Sequence, residues 1–128
     1  YNTDYTIIAE FTDNKEQLEL EDFTQVLEEF THYSGWGVQS QKKNTNQFQA
    51  YIDDVKWYSW AEDITKLSKK FPKTMFIVEG VGEDQGDWWR CYFKNGKSSQ
   101  MISQNSRLLL IPIRPKSGSA HHLYLYLV

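Results

Sequence analysis

The side chains that most often carry catalysis or bind metals are sparse in this chain. It has three histidines (His32, His121 and His122) and one cysteine, Cys91. The adjacent pair His121 and His122 would point to opposite sides of a strand, which makes a poor chelate, and no carboxylate at a suitable spacing completes a metal site. Cys91 lies in the middle of a strand-like segment, where a cysteine is typically a small core residue rather than a nucleophile. The sequence therefore predicts no metal site and no catalytic thiol.

The carboxylates are also poorly arranged for acid–base catalysis. Three pairs are adjacent in sequence, namely Asp53-Asp54, Glu62-Asp63 and Glu83-Asp84. Neighbouring residues on a strand face opposite ways, so Asp53 and Asp54 do not form a shared dyad. The glycine-containing loop 82–86 is acidic and lacks the Gly-Lys-Ser/Thr of a phosphate-binding loop. We expect a protein that is not an enzyme, uses no cofactor and acts by binding.

Charge is distributed unevenly along the 128 residues, whose net charge is −3. Residues 1–64 contain thirteen acids and four lysines, whereas residues 65–128 contain four acids and ten Lys and Arg residues. This asymmetry predicts one negative and one positive face, although two ordinary solvated faces would look the same in sequence. The longest apolar run, residues 108–111, is far too short to span a membrane. We expect a soluble cytoplasmic domain with no membrane partner, and the single cysteine excludes an internal disulfide.

Hydrophobic spacing predicts alternating strands and helices. Apolar stripes predict two amphipathic helices, over residues 15–32 and 60–71. Aromatic and β-branched residues predict strands over 4–11, 36–41, 48–57, 74–81, 88–94 and 99–103. The second and third of these form a hairpin around the polar tip 42–46, and Asn95-Gly96 predicts a tight turn. Asp13 and Ser59 are placed as helix N-caps, each with a glutamate three residues later.

This order of elements predicts an α+β protein. The order β-α-β-β-α-β is that of the ferredoxin-like fold, an antiparallel sheet with two helices on one face, here with an additional C-terminal strand or strands. The domain is expected to span residues 1–97, followed by a strand extension, 98–128, that packs on the same domain or on a neighbouring chain. The expected core comprises Phe23, Val26, Leu27, Phe30, Ile64, Leu67, Phe71, Phe76, Val78, Trp89 and Phe93.

One block of residues resembles a known family. It consists of Val55-Lys56-Trp57-Tyr58, Glu62-Asp63, Leu67-Ser68-Lys69-Lys70-Phe71-Pro72, Phe76-Ile77-Val78-Glu79-Gly80, Gly82-Glu83, Gly86-Asp87-Trp88-Trp89 and Tyr92-Phe93-Lys94-Asn95-Gly96-Lys97. These motifs resemble the YubB-type ferredoxin-like domain of phage, plasmid and integrated-element proteins, over about residues 55–97, a third of the chain. The resemblance implies a ferredoxin-like fold and a mobile-element context. It implies no catalytic residue.

The acidic residues of the first predicted helix suggest a protein-binding surface. Six carboxylates lie within it: Glu16, Glu19, Glu21, Asp22, Glu28 and Glu29. Such a face could occupy the basic nucleic-acid channel of another protein, as expected of a stoichiometric inhibitor of a host defence or nucleic-acid-processing protein. The residues proposed for partner binding are Glu21, Asp22, Glu28, Glu29 and Trp36. Trp36 is either an exposed anchor or a core tryptophan at the start of a strand.

The alternative is single-stranded nucleic-acid binding on the open face of the sheet. Alternation along the strand from Trp88 separates two sets of side chains. Trp89, Cys91 and Phe93 are expected to face the helices. The opposite set mixes aromatic and basic residues, as a base-stacking platform would, and comprises Trp88, Arg90, Tyr92 and Lys94. C-terminal segments that cover this face would instead leave Trp88 simply packed.

Overall fold

The computed structural model describes residues 2–38, 46–83, 87–104 and 107–112. Its strands are β1 (Thr3–Glu10), β2 (Gly37–Val38), β3 (Gln47–Val55), β4 (Met75–Val81), β5 (Trp88–Lys94), β6 (Lys97–Gln104) and β7 (Arg107–Pro112). Its helices are α1 (Asn14–Glu19), α2 (Phe23–Thr31) and α3 (Trp60–Lys70). The class is mixed α+β, as the sequence predicts. No helix among the described residues combines the length and the apolar character that a membrane crossing needs.

All the described strands belong to one antiparallel sheet in the order β2-β3-β1-β4-β5-β6-β7. Strand β1 is central and pairs with β3 on one side and with β4 on the other. Strands β4 to β7 form a meander in which each strand pairs with the next. The proposed boundary between the domain 1–97 and the strand extension 98–128 therefore falls at the start of β6, which belongs to this same sheet.

One face of the sheet carries the core because alternate side chains of its central strands are apolar. Ile7 of β1 is in register with Ala50 of β3 and Val78 of β4, and Val78 is in register with Cys91 of β5. All four are fully buried, in one cluster with residues of α2 and α3. The predicted core positions belong to this cluster or pack against it, with Val26, Phe30 and Trp89 only partly buried.

The first predicted helix is not continuous, which corrects the prediction of one helix over residues 15–32. The regular helical hydrogen bonds end at Leu20, whose N–H donates to Glu16 O four residues earlier. The next amide, Glu21 N–H, donates to Leu18 O, only three residues earlier. The regular bonds resume when Val26 N–H donates to Asp22 O. Buried positions keep a spacing of three to four residues across the break, at Glu16, Leu20, Phe23, Leu27 and Thr31. The apolar periodicity is continuous although the helix is interrupted.

Helix caps follow the predicted positions but not all of the predicted bonds. Asp13 caps α1 through its side chain, which accepts from Glu16 N–H at 3.1 Å. Ser59 stands at the N-cap of α3 and its carbonyl accepts from Asp63 N–H, but its side chain makes no hydrogen bond to the helix backbone. Its hydroxyl donates instead to Asp63 Oδ2 at 2.9 Å. Asp63 also accepts from the Trp57 indole N–H at 2.7 Å, so this buried carboxylate has two donors. Ser59 therefore occupies the predicted cap position, but its hydroxyl bonds the Asp63 carboxylate instead of the helix backbone.

An aromatic cluster fills one end of the core and accounts for four of the five tryptophans. Trp57 packs edge-on against Tyr5 and Trp36, with ring centroids 5.1 and 5.9 Å apart. Tyr5 contacts Trp89, which stacks on Trp60 at 4.3 Å. The high tryptophan content of the sequence therefore serves mainly to pack this end of the sheet.

Three segments named in the sequence analysis lie partly or wholly outside the described residues. These are the tip of the β2–β3 hairpin at 39–45, part of the acidic loop at 84–86, and the C-terminal segment 113–128, which includes His121 and His122. The predicted Asn95-Gly96 turn is described and joins β5 to β6, with φ of 49° and 79°. Positive φ at both central residues is typical of a two-residue hairpin turn, so this prediction is confirmed.

Candidate functional site

Five of the six predicted carboxylates are exposed around α1 and α2. We define the acidic surface as these five residues: Glu19, Glu21, Asp22, Glu28 and Glu29. Glu19 ends α1, Glu21 and Asp22 occupy the break between the helices, and Glu28 and Glu29 lie on α2. None of them forms a salt bridge in the described part of the chain. The four carboxylates proposed for partner binding are therefore accessible.

Glu16 does not belong to this surface. Its residue is 8% exposed, and its carboxylate accepts from Lys73 N–H at 3.1 and 3.2 Å and from the Thr74 hydroxyl at 2.8 Å. A buried carboxylate needs such donors, because burial without them carries a large desolvation cost. Glu16 thus fastens α1 to the segment that enters β4. Its predicted place on a solvated acidic face is wrong.

Replacement of Glu16 tests this structural role. Glu16→Gln keeps the shape of the side chain but removes its charge. It also introduces an amide donor opposite the Lys73 N–H and the Thr74 hydroxyl, which are donors themselves. We expect the free energy of unfolding to fall by about 1–2 kcal/mol, as for the loss of charge-assisted hydrogen bonds. Urea denaturation measures this, with Glu19→Gln on the same helix as the exposed control. Equal stability of the two variants would show that the Glu16 contacts contribute nothing.

An apolar residue stands beside the acidic surface. Leu18 is 68% exposed and borders a depression of about 400 Å³. The depression is lined by Asn14, Gln17, Leu18, Glu21 and Phe48. Phe48 belongs to the core, so the lining combines apolar side chains with amide groups and one carboxylate. Leu18 was not among the predicted site residues, although its position out of phase with Glu16, Leu20 and Phe23 indicates exposure.

Trp36 is part of the core rather than an exposed anchor. It is 7% exposed and packs against Trp57, while its indole N–H has no hydrogen-bond partner. Of the two alternatives for Trp36, the structure therefore agrees with the second, a core tryptophan at the start of a strand. Tyr58, the neighbour of Trp57 in sequence, is by contrast 89% exposed just before α3. No pattern in the sequence distinguished Tyr58.

The four residues of the alternative nucleic-acid face lie on the side of β5 away from the helices. Trp88, Arg90 and Tyr92 are half-buried, and Lys94 is exposed. Arg90 is held by its neighbours: Nη2 is 3.1 Å from Glu79 Oε1, and Nη1 donates to the Tyr92 hydroxyl at 3.3 Å. Its guanidinium also lies 5.7 Å from the centre of the Trp88 ring. A phosphate at this face would therefore compete with Glu79 for Arg90.

Burial and charge explain why Arg90 remains paired. Burial alone opposes the charged form of Arg90, but the hydrogen bond from Arg90 to Tyr92 and the Glu79 carboxylate outweigh it and raise the pKa of the guanidinium. Glu79 and Arg90 are direct cross-strand partners, the geometry in which opposite charges stabilise a sheet. The pair therefore has a structural explanation that needs no ligand.

The described cysteine and histidine are a buried thiol and an exposed imidazole. Burial raises the pKa of Cys91 to about 12, so its thiol does not ionise near neutral pH. His32 is exposed at the end of α2, with a left-handed φ of 62°. No group of three or more His, Cys, Asp or Glu residues is placed to hold a metal ion in the part of the chain that is described.

Comparisons with known proteins identify no relative: no protein family, no curated protein and no solved structure matches this chain. The functional assignment therefore depends on the geometry of the chain itself.

Proposed function

We propose that this protein acts by binding a basic surface of a partner protein through its acidic surface, without catalysing a reaction. The observation that carries this proposal is the exposure of five carboxylates around α1 and α2 next to the exposed Leu18. The carboxylates provide long-range attraction, which chiefly accelerates the encounter with a basic partner. Leu18 and the depression beside it provide a short-range apolar contact.

Within this proposal, Leu18 takes the role first considered for Trp36. An interface needs a desolvated apolar contact as well as charge, because pairs of solvent-exposed charges contribute little affinity. Leu18 is the exposed apolar residue in the same short helix as Glu19 and immediately before the Glu21–Asp22 break. The acidic surface then governs the rate of association, and Leu18 governs the rate of dissociation.

The class of partner we propose is a protein that itself binds nucleic acid. A basic channel that holds a phosphate backbone is complementary to a dense group of carboxylates. A protein with such a surface would act as a stoichiometric inhibitor of a host defence or nucleic-acid-processing protein in the cytoplasm. The resemblance to YubB-type domains adds the mobile-element, phage-like context of this proposal.

We also propose that the first four strands follow the ferredoxin-like arrangement. Their spatial order is β4-β1-β3-β2, with all neighbours antiparallel. Helices α1 and α2 connect β1 to β2, and α3 connects β3 to β4. This connectivity supports a split βαβ core. Strands β5, β6 and β7 extend the sheet beyond β4.

The test is the association rate with a partner captured from host lysate after nuclease treatment. A variant with Glu21→Gln, Asp22→Asn, Glu28→Gln and Glu29→Gln removes four carboxylates of the acidic surface. We expect its association rate at low salt to fall roughly ten-fold or more, with a weaker dependence on salt, because electrostatic steering contributes factors of this size. The matched control removes four exposed carboxylates elsewhere: Glu10→Gln, Asp53→Asn, Glu62→Gln and Glu83→Gln.

Leu18→Ala provides the second arm of this test. Because the side chain is exposed, the variant should fold normally and associate at the parental rate but dissociate faster. If the quadruple variant associates as fast as the parent, the acidic surface is merely solvated and the proposal fails. Turnover of a nucleotide or peptide substrate by the purified protein would equally contradict it.

A further inference from the structure

The turn between β5 and β6 contains the one Asn-Gly pair of the sequence, Asn95-Gly96. An asparagine side chain can react with the backbone nitrogen of the residue that follows it. Glycine favours this reaction, because it leaves the nitrogen unshielded and the backbone free to bring the two groups together. The other five asparagines precede residues with a side chain, and they are Asn2, Asn14, Asn44, Asn46 and Asn105.

The reaction, deamidation, needs no enzyme and only water as a co-reactant. The Gly96 nitrogen attacks the amide carbon of the Asn95 side chain and forms a C–N bond. The side-chain nitrogen leaves as ammonia, which carries away the proton of Gly96 N–H. Water then opens the five-membered imide at one of its two carbonyl carbons. The product is aspartate, or isoaspartate, in which the chain continues through the side chain and the backbone is one atom longer.

The geometry of the turn explains why this reactive pair is present. Both residues have positive φ, 49° at Asn95 and 79° at Gly96. Asparagine and glycine are the residues that adopt this conformation most readily, so a two-residue hairpin turn favours them. Asn95 is also exposed, so water reaches it. The turn that joins β5 to β6 therefore carries a pair that is suited to the fold and chemically labile.

The nitrogen that would attack is held by a buried hydroxyl of α3. Gly96 N–H donates to Ser68 Oγ at 2.9 Å, and Ser68 is fully buried. The Ser68 hydroxyl uses its own proton on Thr65 O, at 2.8 Å, so its oxygen is available to Gly96 as an acceptor. Because formation of the imide removes the proton from Gly96 N–H, this hydrogen bond must be lost before the ring closes.

The helix also restricts movement of the turn. A Cβ at Gly96 would stand 2.6 Å from Lys69 Cε and 3.0 Å from Lys69 Cγ, so the stem of Lys69 lies directly against Gly96. The helix itself is fixed to the core by Ile64 and Leu67, which are fully buried. A rearrangement that moves Gly96 therefore has to separate the turn from both Ser68 and Lys69.

We propose that Asn95 is a site of spontaneous deamidation and that the Ser68 hydroxyl sets its rate. This inference is independent of the acidic surface. The hydrogen bond protects Asn95 while the turn is packed on α3, and transient separation of the turn permits the reaction. Isoaspartate adds a backbone atom between Lys94 and Lys97, which are direct cross-strand partners. The modification therefore detaches the turn from α3 permanently.

Incubation of the folded protein at one mildly alkaline pH, followed by proteolysis and mass spectrometry, tests the proposal. We expect conversion at Asn95 in the folded parent, at a lower rate than in the same protein unfolded in urea. Ser68→Ala should accelerate the conversion in the folded protein about two- to ten-fold, the factor that corresponds to the loss of one hydrogen bond. In urea the parent and the variant should react equally fast, because no hydrogen bond to residue 68 remains there.

The matched control is Thr65→Ala, which removes a hydroxyl of the same helix that donates to Ala61 O and not to the turn. Its rate at Asn95 should equal that of the parent. Thermal denaturation establishes that each variant is folded. If Ser68→Ala does not fold, Ser68→Cys replaces it, because sulfur is a weak acceptor.

Three outcomes overturn the proposal. Folded protein that is not converted at Asn95, while the unfolded chain is converted completely, excludes the site. Equal rates in the parent and the Ser68 variant, or equal acceleration by Thr65→Ala, exclude control by the Ser68 hydroxyl. The isoaspartate form, separated by chromatography, should unfold at a lower temperature than the parent, and an unchanged unfolding temperature would contradict detachment of the turn.

Discussion

Leu67→Ala is expected to lower the free energy of unfolding by about 2–5 kcal/mol, the cost of removing a buried leucine and leaving a cavity. Leu67 is fully buried in the centre of α3 and belongs to the core cluster in which α2 and α3 pack on the sheet. Neighbours on α2 and on the sheet are fixed by their own packing, so the cavity closes only partly. Leu27→Ala, at the equivalent buried position of α2, should have a cost in the same range.

Urea denaturation monitored by far-ultraviolet circular dichroism measures this effect. Leu18→Ala is the matched control, because it makes the same chemical change at a residue that is 68% exposed on α1. Its cost should be within about 0.5 kcal/mol, as for most surface substitutions. A loss near zero for Leu67→Ala would mean that the apolar spacing of α3 does not reflect its packing.

The apolar periodicity of α3 explains why this helix could be predicted so closely. Its stripe at Trp60, Ile64, Leu67 and Phe71 is bounded by Ser59 and Pro72, and the helix occupies Trp60–Lys70. Asp13 marked the start of the first predicted helix, but no glycine or proline marks the break inside it. Its buried positions keep the same phase across the break at residues 20–22, so the spacing carries no information about the interrupted hydrogen-bond ladder.

The candidate site was predictable only where exposure follows from local sequence. The carboxylates at 21, 22, 28 and 29 lie off the apolar stripe, and all are exposed. Glu16 and Trp36 differ because their environment is set by distant segments. Glu16 bonds Lys73 and Thr74, which are 57 and 58 residues away in sequence, and Trp36 packs on Trp57. Whether such a polar or aromatic side chain is buried depends on which distant segments pack against it. Short-range sequence patterns do not contain that information.

The contact between α3 and the β5–β6 turn has the same origin. Gly96 N–H donates to the hydroxyl of Ser68, which is 28 residues away in sequence. No short-range pattern joins these two segments, so the contact could not be predicted from the sequence.

Gly80→Ala is expected to destabilise the protein by about 1–3 kcal/mol, the usual cost of overpacking. Gly80 of β4 faces Trp89 of β5 as its direct cross-strand partner. A Cβ at Gly80 would stand 2.2 Å from Cε2 and Cζ2 of the Trp89 indole, far inside van der Waals contact. The indole cannot withdraw freely, because it stacks on Trp60 at 4.3 Å and contacts the Tyr5 ring at 5.7 Å.

The sign of this effect is decided by two opposing terms. Replacing glycine by alanine restricts the unfolded chain, which stabilises a protein by about 0.4–1 kcal/mol where the native conformation accepts a side chain. At Gly80 the clash with the indole exceeds that gain. Trp89→Leu removes the ring, so Gly80→Ala should be neutral or stabilising in that background and destabilising in the parent. Thermal denaturation of the four proteins of this double-mutant cycle measures the coupling. An equal loss in both backgrounds would show that the cost arises from the strand backbone rather than from the aromatic cluster.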